Sequence, residues 1–124
     1  MRIVPMNEIE FIVEVLPEEA PVRGNAMASG DDDFDRKVED EIFASLMHGN
    51  EWAWCKVEVT ACVDGIEGTD YLGCCNYDSE EDFRKGSEWE QMKEQAAWEL
   101  RGKLADAKDA VDRALMEFSR AREG

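Results

Sequence analysis

Histidine occurs once in the 124 residues, proline three times, and 14 Lys and Arg face 30 Asp and Glu. Each scarcity removes a class of function. With His48 alone there is no second imidazole to build a relay from, and no G-x-S-x-G nucleophile turn accompanies it. Neither a phosphate loop nor a dinucleotide fingerprint is present. No apolar run approaches the roughly 20 residues of a membrane span. Met1-Arg2-Ile3-Val4-Pro5 is too short for the apolar part of a secretory signal, and Glu8 and Glu10 interrupt the next stretch. The chain is therefore expected to stay in the compartment where it is made, the cytoplasm. A formal charge of -16 repels nucleic acid and anionic membranes and favours basic partners. Basic patches interleaved with aromatics, the mark of RNA-binding sheets, are absent.

What is there centres on Glu51 to Tyr77. From Trp52 to Val63 the side chains alternate, with Ala53, Cys55, Val57, Val59, Ala61 and Val63 on one face and Trp52, Trp54, Lys56, Glu58, Thr60 and Cys62 on the other. Period two is the pattern of a half-buried strand. Turn residues come next at Asp64-Gly65 and Gly68-Thr69-Asp70, and Tyr71 to Tyr77 reads as the returning strand. The four cysteines, Cys55, Cys62, Cys74 and Cys75, show no C-x-x-C spacing. With the turn closing around Gly65 to Gly68, Cys62 falls opposite Tyr71 and Val59 opposite Cys74, so no two cysteines face each other. Buried, reduced thiols are expected, without disulfide or zinc.

Residues 8–16 alternate Ile9, Phe11, Val13 and Val15 against Glu8, Glu10, Ile12 and Glu14, a first strand stopped by Pro17. A long loop to Gly30 carries Arg23, which is placed to tie it to an acidic neighbour. Asp31, Asp32, Asp33 and Asp35 open a helix, where carboxylates cap free N-H groups and oppose the dipole. A calcium loop fails there, because Arg36 replaces the turn glycine and Ile42 the bidentate glutamate. Phe34, Val38, Ile42, Ser45 and Leu46 form the helix's buried stripe, Phe43 and Met47 a second facet, and Gly49 ends it. His48 in the last turn reads as a cap.

After Asp78-Ser79-Glu80-Glu81-Asp82 and an inward Phe83, Gly86 breaks the chain, and Ser87 with Glu90 fits a capping box for the last helix. Its apolar positions from Trp89 to Phe118 recur about every 3.6 residues, the period of an amphipathic helix. At about 50 Å this helix outruns a six-residue strand of about 20 Å. Its overhanging part, within 103–124, carries Leu104, Ala107, Val111, Ala114 and Phe118 in 3-4 spacing and is expected to pair with a second copy. Residues 1–99 hold 25 acidic and 8 basic side chains, and 100–124 hold 5 and 6. Only the last segment is free of strong self-repulsion.

The order βαββα predicts a single α+β domain over 1–124. A right-handed β-α-β crossover with the hairpin inserted gives a three-stranded antiparallel or mixed sheet in order 1-3-2, a split βαβ unit and fragment of a ferredoxin-like fold, with both helices on one face. The other face would show Glu8, Glu10, Ile12, Glu14, Trp52, Trp54, Lys56, Glu58 and Thr60. Two exposed tryptophans there imply either a partner site or cover by the loop from 18 to 30. Thirty acids produce close carboxylate pairs by chance, so a glycosidase-type pair is not inferred. No cofactor, metal set or catalytic residue is expected, and the chain is read as a non-enzyme.

PVRGNAMASGDDDFD at 21–35 and WAWCKVEVTACVDGIEGTDYLGCC at 52–75 resemble segments shared by small uncharacterised acidic proteins of tailed phages and prophages, over most of the chain up to about residue 95. The resemblance carries no catalytic residues. It implies a host-cytoplasmic protein that binds and blocks a host target, such as a CRISPR surveillance complex or a restriction enzyme. On that reading Asp31, Asp32, Asp33, Asp35, Glu39, Asp40, Glu80, Glu81 and Asp82 imitate phosphates and occupy a basic nucleic-acid channel, with Trp52 and Trp54 as further contacts. The alternative is a structural or regulatory phage component that dimerises through its C-terminal helix, the charge serving solubility and helix capping. An enzyme acting on a small molecule would need a pocket between the 18–30 loop and the sheet.

Overall fold

Asp64 and Gly65 both take positive φ, 51° and 83°. Two such residues make a type I′ turn, whose twist matches that of the strands it joins. In the computed structural model, which describes residues 4–123, this turn closes β2 (Cys55–Val63) on β3 (Ile66–Cys75). The other elements are β1 (Glu10–Pro17), α1 (Asp32–Met47), α2 (Glu80–Lys85) and α3 (Ser87–Glu123), with 3-10 turns at Met6–Glu8 and Glu51–Ala53. The two-residue turn shifts the β3 partners of Val57 to Val63 by four residues from where a closure around Gly65 to Gly68 would put them, from Tyr71 to Glu67 opposite Cys62. Cys62 faces Glu67, Val59 faces Asp70, and Cys55 faces Cys75. The expectation that no cysteines oppose one another is overturned at this last pair.

The sheet is an antiparallel meander in order β1-β2-β3. The expected order 1-3-2, and with it the split βαβ unit and the ferredoxin-like fragment, is contradicted. The right-handed crossover rule governs parallel strands. Here the connection through α1 delivers β2 back along β1 in the opposite direction, from Pro17 against Cys55 to Glu10 against Cys62. Once β2 pairs directly with β1, no gap remains for β3.

Nor do both long helices lie on one face of the sheet. α3 alone covers it, over Val57, Val59 and Ala61, with Ala96, Ala97 and Leu100 sealed against them. Gly68 makes this possible, since a Cβ there would strike the α3 backbone at Ala96 and Leu100. A glycine at such a point lets helix and strand approach closely. α1 instead packs Val38, Ile42 and Leu46 on Val22, Ala53 and Trp54, a second small cluster beside the sheet. Phe34, Phe43 and Met47 stay exposed, so the helix buries a narrower stripe than its sequence offers.

Phe83 is fully buried and anchors the short α2. It stacks on Trp52 at 5.6 Å and meets Tyr77 edge-on at 5.2 Å and Trp89 at 5.8 Å. Between Cys55/Cys75 and Val57/Leu72 the ladder slips, with Lys56 opposite two residues, Gly73 and Cys74, and Cys74 at φ 54°. Two residues against one is a β-bulge. Glu18 holds it, accepting from Cys74 N at 2.5 Å and Ala20 N at 3.2 Å. These two N-H groups keep the Glu18 carboxyl below its ordinary pKa.

Candidate functional site

Among the described residues no helix lies over the sheet face away from α3, and the outward residues of that face follow from the register. Glu10, Cys62 and Glu67 form one row across the three strands. Ile12, Thr60 and Thr69 form the next, then Glu14, Glu58 and Tyr71, with Leu16 beside Lys56 at the end. Glu10, Glu14, Glu67, Tyr71 and Ile12 are exposed, the last two by 58% and 45%. Glu14 and Glu58 stand directly opposite each other, an arrangement that is destabilising between like charges. Among the described residues no cation forms an ion pair with Glu10, Glu14, Glu58 or Glu67. Tyr71 donates to Glu58 Oε1 at 3.4 Å, and the Glu58 charge foremost pushes its phenol pKa up. Thr60 and Thr69 hydroxyls meet at 3.4 Å. The surface is anionic and partly apolar.

The sequence reading placed Glu10, Ile12, Glu14, Lys56, Glu58 and Thr60 on this face, and the structure puts them there. Glu67, Thr69 and Tyr71 were missed because the hairpin register was. The Asp64-Gly65 pair was the available signal, since an Asp-Gly step between alternating runs favours a two-residue turn. Trp52 and Trp54 are not on the face. Both rings are buried, at 8% and 6% exposure; Trp52 sits in the 3-10 turn Glu51–Ala53 that precedes the strand, while Trp54 just after it keeps an extended backbone. Trp52 joins the Phe83 cluster. Trp54 lies under the loop and donates Nε1-H to Ala20 O at 2.7 Å, the cover by the 18–30 loop that had been the other expectation.

The remaining acidic candidates mostly hold the fold. Asp31 caps α1, accepting from Asp33 N and Phe34 N. Asp35 accepts from Ser29 N and Oγ, the hydroxyl at 2.6 Å. Glu39, 6% exposed, accepts from Gly24 N at 2.8 Å and Arg23 Nη1 at 3.0 Å, and Asp40 takes the other Arg23 nitrogen at 2.7 Å. Gly24 N-H first and Arg23 second lower the Glu39 pKa. Arg23 thus ties the loop to α1 as expected. Glu80 and Glu81 pair with Arg84 and Lys85, and Asp82 accepts from Asp78 N. Asp32 and Asp33 remain as exposed carboxylates in no ion pair with a described residue. His48 caps its helix, with Nδ1 2.7 Å from Ala44 O.

Along α3, Leu104 is half-buried against the core, whereas Ala107, Val111, Ala114 and Phe118 are all exposed. Leu115 and Met116, absent from the expected stripe, are equally open at 59% and 58%. Trp98, 72% exposed, separates two shallow grooves of about 470 and 480 Å³ on the outer side of the helix. Neither groove pairs a nucleophile with a base. Among the described residues no group of three or more His, Cys, Asp or Glu is placed to hold a metal ion, and no helix is long and apolar enough to cross a membrane.

Comparison with protein-family models, curated proteins and solved structures returns no match.

Proposed function

We propose that the chain is a non-enzymatic binding protein of the host cytoplasm whose open sheet face engages a basic, nucleic-acid-binding protein. The observation that carries this reading is the opposed Glu14 and Glu58 on an uncovered sheet face that also carries Glu10 and Glu67. Tyr71 gives Glu58 one long hydrogen bond at 3.4 Å, yet no described cation neutralises either carboxylate, and a local rule broken in this way marks a surface shaped by something other than stability. Lysine and arginine side chains of a partner would relieve the repulsion, and Ile12 and Tyr71 would add apolar contact between them. Charge of this density speeds encounter and makes binding salt-sensitive. The target class implied by the phage resemblance, a CRISPR or restriction complex with a basic channel, fits that chemistry. In this form the proposal moves the contact from Asp31, Asp35, Glu39 and Asp40, whose carboxylates are already bonded, to Glu10, Glu14, Glu58 and Glu67, with Asp32 and Asp33 as auxiliaries.

The test is affinity capture from bacterial lysate at ~0.1 M and ~1 M salt, between which the Debye length falls from about 10 Å to about 3 Å. Wild-type chain is run beside Glu14→Lys/Glu58→Lys. A nucleic-acid-binding protein held by the wild type, released by salt and lost in the double variant is the expected result. Equal capture by both chains sinks the proposal.

A second reading has its own observation. Val111, Leu115, Met116 and Phe118 are 57–60% exposed on a helix that has left the sheet, in the one segment where acidic and basic residues balance. A second copy would cover them without bringing two acidic bodies together. Sedimentation at high micromolar concentration should show a dimer that Leu115→Glu/Phe118→Glu converts to monomer. A monomeric wild type removes this reading and leaves the first untouched.

A further inference from the structure

Four thiols are present, and the fold treats them differently. Cys62 lies on the open face in a row with Glu10 and Glu67, where no other thiol stands. Cys74 is exposed at the bulge, and partial desolvation with the nearby Glu18 carboxylate pushes its pKa up. Cys55 and Cys75 are register partners, both buried, at 0% and 5% exposure, in the main core. Facing residues of antiparallel strands have Cα atoms about 4.5–5.5 Å apart, inside the window of about 4.4–6.8 Å that a disulfide spans. Cys55 Sγ donates to Trp52 O at 3.7 Å and Cys75 Sγ to Leu72 O at 3.3 Å, and the facing thiol shifts the Cys75 pKa down and the Cys55 pKa up. Cys75 closes β3, an edge strand, next to the exposed Cys74 and Asn76, so a small oxidant has only a short way to travel.

We propose that Cys75 and Cys55 are a peroxide-reactive dithiol, Cys75 taking the first oxidation and Cys55 resolving it into a disulfide between β2 and β3. The Cys75 thiolate attacks one oxygen of hydrogen peroxide. The O-O bond breaks, a sulfenic acid forms, and hydroxide leaves to be protonated to water. The Cys55 sulfur then attacks the Cys75 sulfur, the S-O bond breaks, and the departing hydroxyl leaves as water with the Cys55 proton. Two thiols lose two electrons in all, and one peroxide becomes two waters. The new bond ties the strands at the bulge, beside the point where Tyr77 N donates to Trp52 O at 2.8 Å. The site is independent of the proposed partner surface, which lies on the opposite face of β2.

The test uses the full chain, oxidised under native conditions with graded hydrogen peroxide. It is then denatured in a maleimide to block remaining thiols and digested without reductant. Cleavage after Lys56 separates Cys55 from the rest, cleavage after Glu67 separates Cys62, and fragmentation distinguishes Cys74 from Cys75. One linked product, Cys55 to Cys75, is expected, reversed by dithiothreitol, with Cys62 and Cys74 blocked. In Cys55→Ser, dimedone should label Cys75. Four blocked thiols after treatment, a link through Cys62 or Cys74, or the same mixture of links that the urea-unfolded chain gives would each overturn the proposal. Because the wild-type map decides alone, failure of a serine variant to fold leaves the test intact.

Discussion

Replacing Gly68 by alanine and, separately, Gly102 by alanine makes the same chemical change at two glycines whose surroundings are opposite. Neither has a positive φ, so the backbone accepts alanine at both and only contacts and helix propensity differ. At Gly68 the new methyl meets three backbone atoms of α3, among them Leu100 Cα at 2.9 Å and still nearer atoms of Ala96 and Leu100. No side chain can rotate away from it. Relief requires α3 to lift from β3 at the point where Ala96, Ala97 and Leu100 are sealed at 0% exposure. Overpacking of this kind costs about 1–3 kcal/mol, and the rigidity of the neighbours argues for the upper half of that range. At Gly102 nothing lies within 4 Å of the added methyl, and the position is inside α3. Alanine there should stabilise by about 0.8–1 kcal/mol through helix propensity alone. With a urea m-value of about 2 kcal/mol/M, the Gly68→Ala midpoint should fall by about 1 M and the Gly102→Ala midpoint should rise by about 0.4 M. The assay is equilibrium urea unfolding followed by tryptophan fluorescence and far-UV circular dichroism, with coincidence of the two probes checked first. Shifts of the same sign, or a Gly68→Ala midpoint within error of wild type, would refute the close helix-strand contact.

Phe83→Ala should cost about 3–5 kcal/mol, because the ring is fully buried among Trp52, Tyr77 and Trp89; near-UV circular dichroism should lose its aromatic bands along with stability. Asp31→Ala removes the acceptor for Asp33 N and Phe34 N and should cost about 0.5–2 kcal/mol, whereas Asp32→Ala, which bonds neither, should stay within about 0.5 kcal/mol of wild type. The Glu39 pKa is depressed in the fold below its ordinary 4.5 by Gly24 N-H and Arg23, so its ionised form contributes stability that is present above that value and lost as pH falls through the folded pKa. Urea midpoints of wild type and Glu39→Gln should therefore differ most at neutral pH and converge as the medium is acidified through the depressed folded pKa; a gap that widens on acidification would contradict the assignment.

The alternation from Phe11 to Val15 and from Cys55 to Val63, the 3.6-residue stripe of α3, the aspartate cap of α1 and the tie from Arg23 were legible in the sequence because each depends on neighbours a few residues apart. Period and capping are local properties, and they survive whatever the distant chain does. Even the overhang of α3 follows from counting residues.

Strand order, by contrast, depended on whether β2 returned parallel or antiparallel to β1, and the 37 residues between them leave both directions open to local rules. The burial of Trp52 turned on a 3-10 turn ahead of the strand and on its contact with Phe83, and that of Trp54 on the loop and α1 that cover it. The opposition of Cys55 and Cys75, like that of Glu58 and Tyr71, came from a two-residue turn and a bulge, each of which moves every later pairing along the ladder. Amino-acid order by itself determined which faces are apolar and where the charge is concentrated. Which of those faces is covered, and which side chains meet across the strands, was decided only by tertiary structure, since register and layer packing are settled by contacts between residues far apart in the chain.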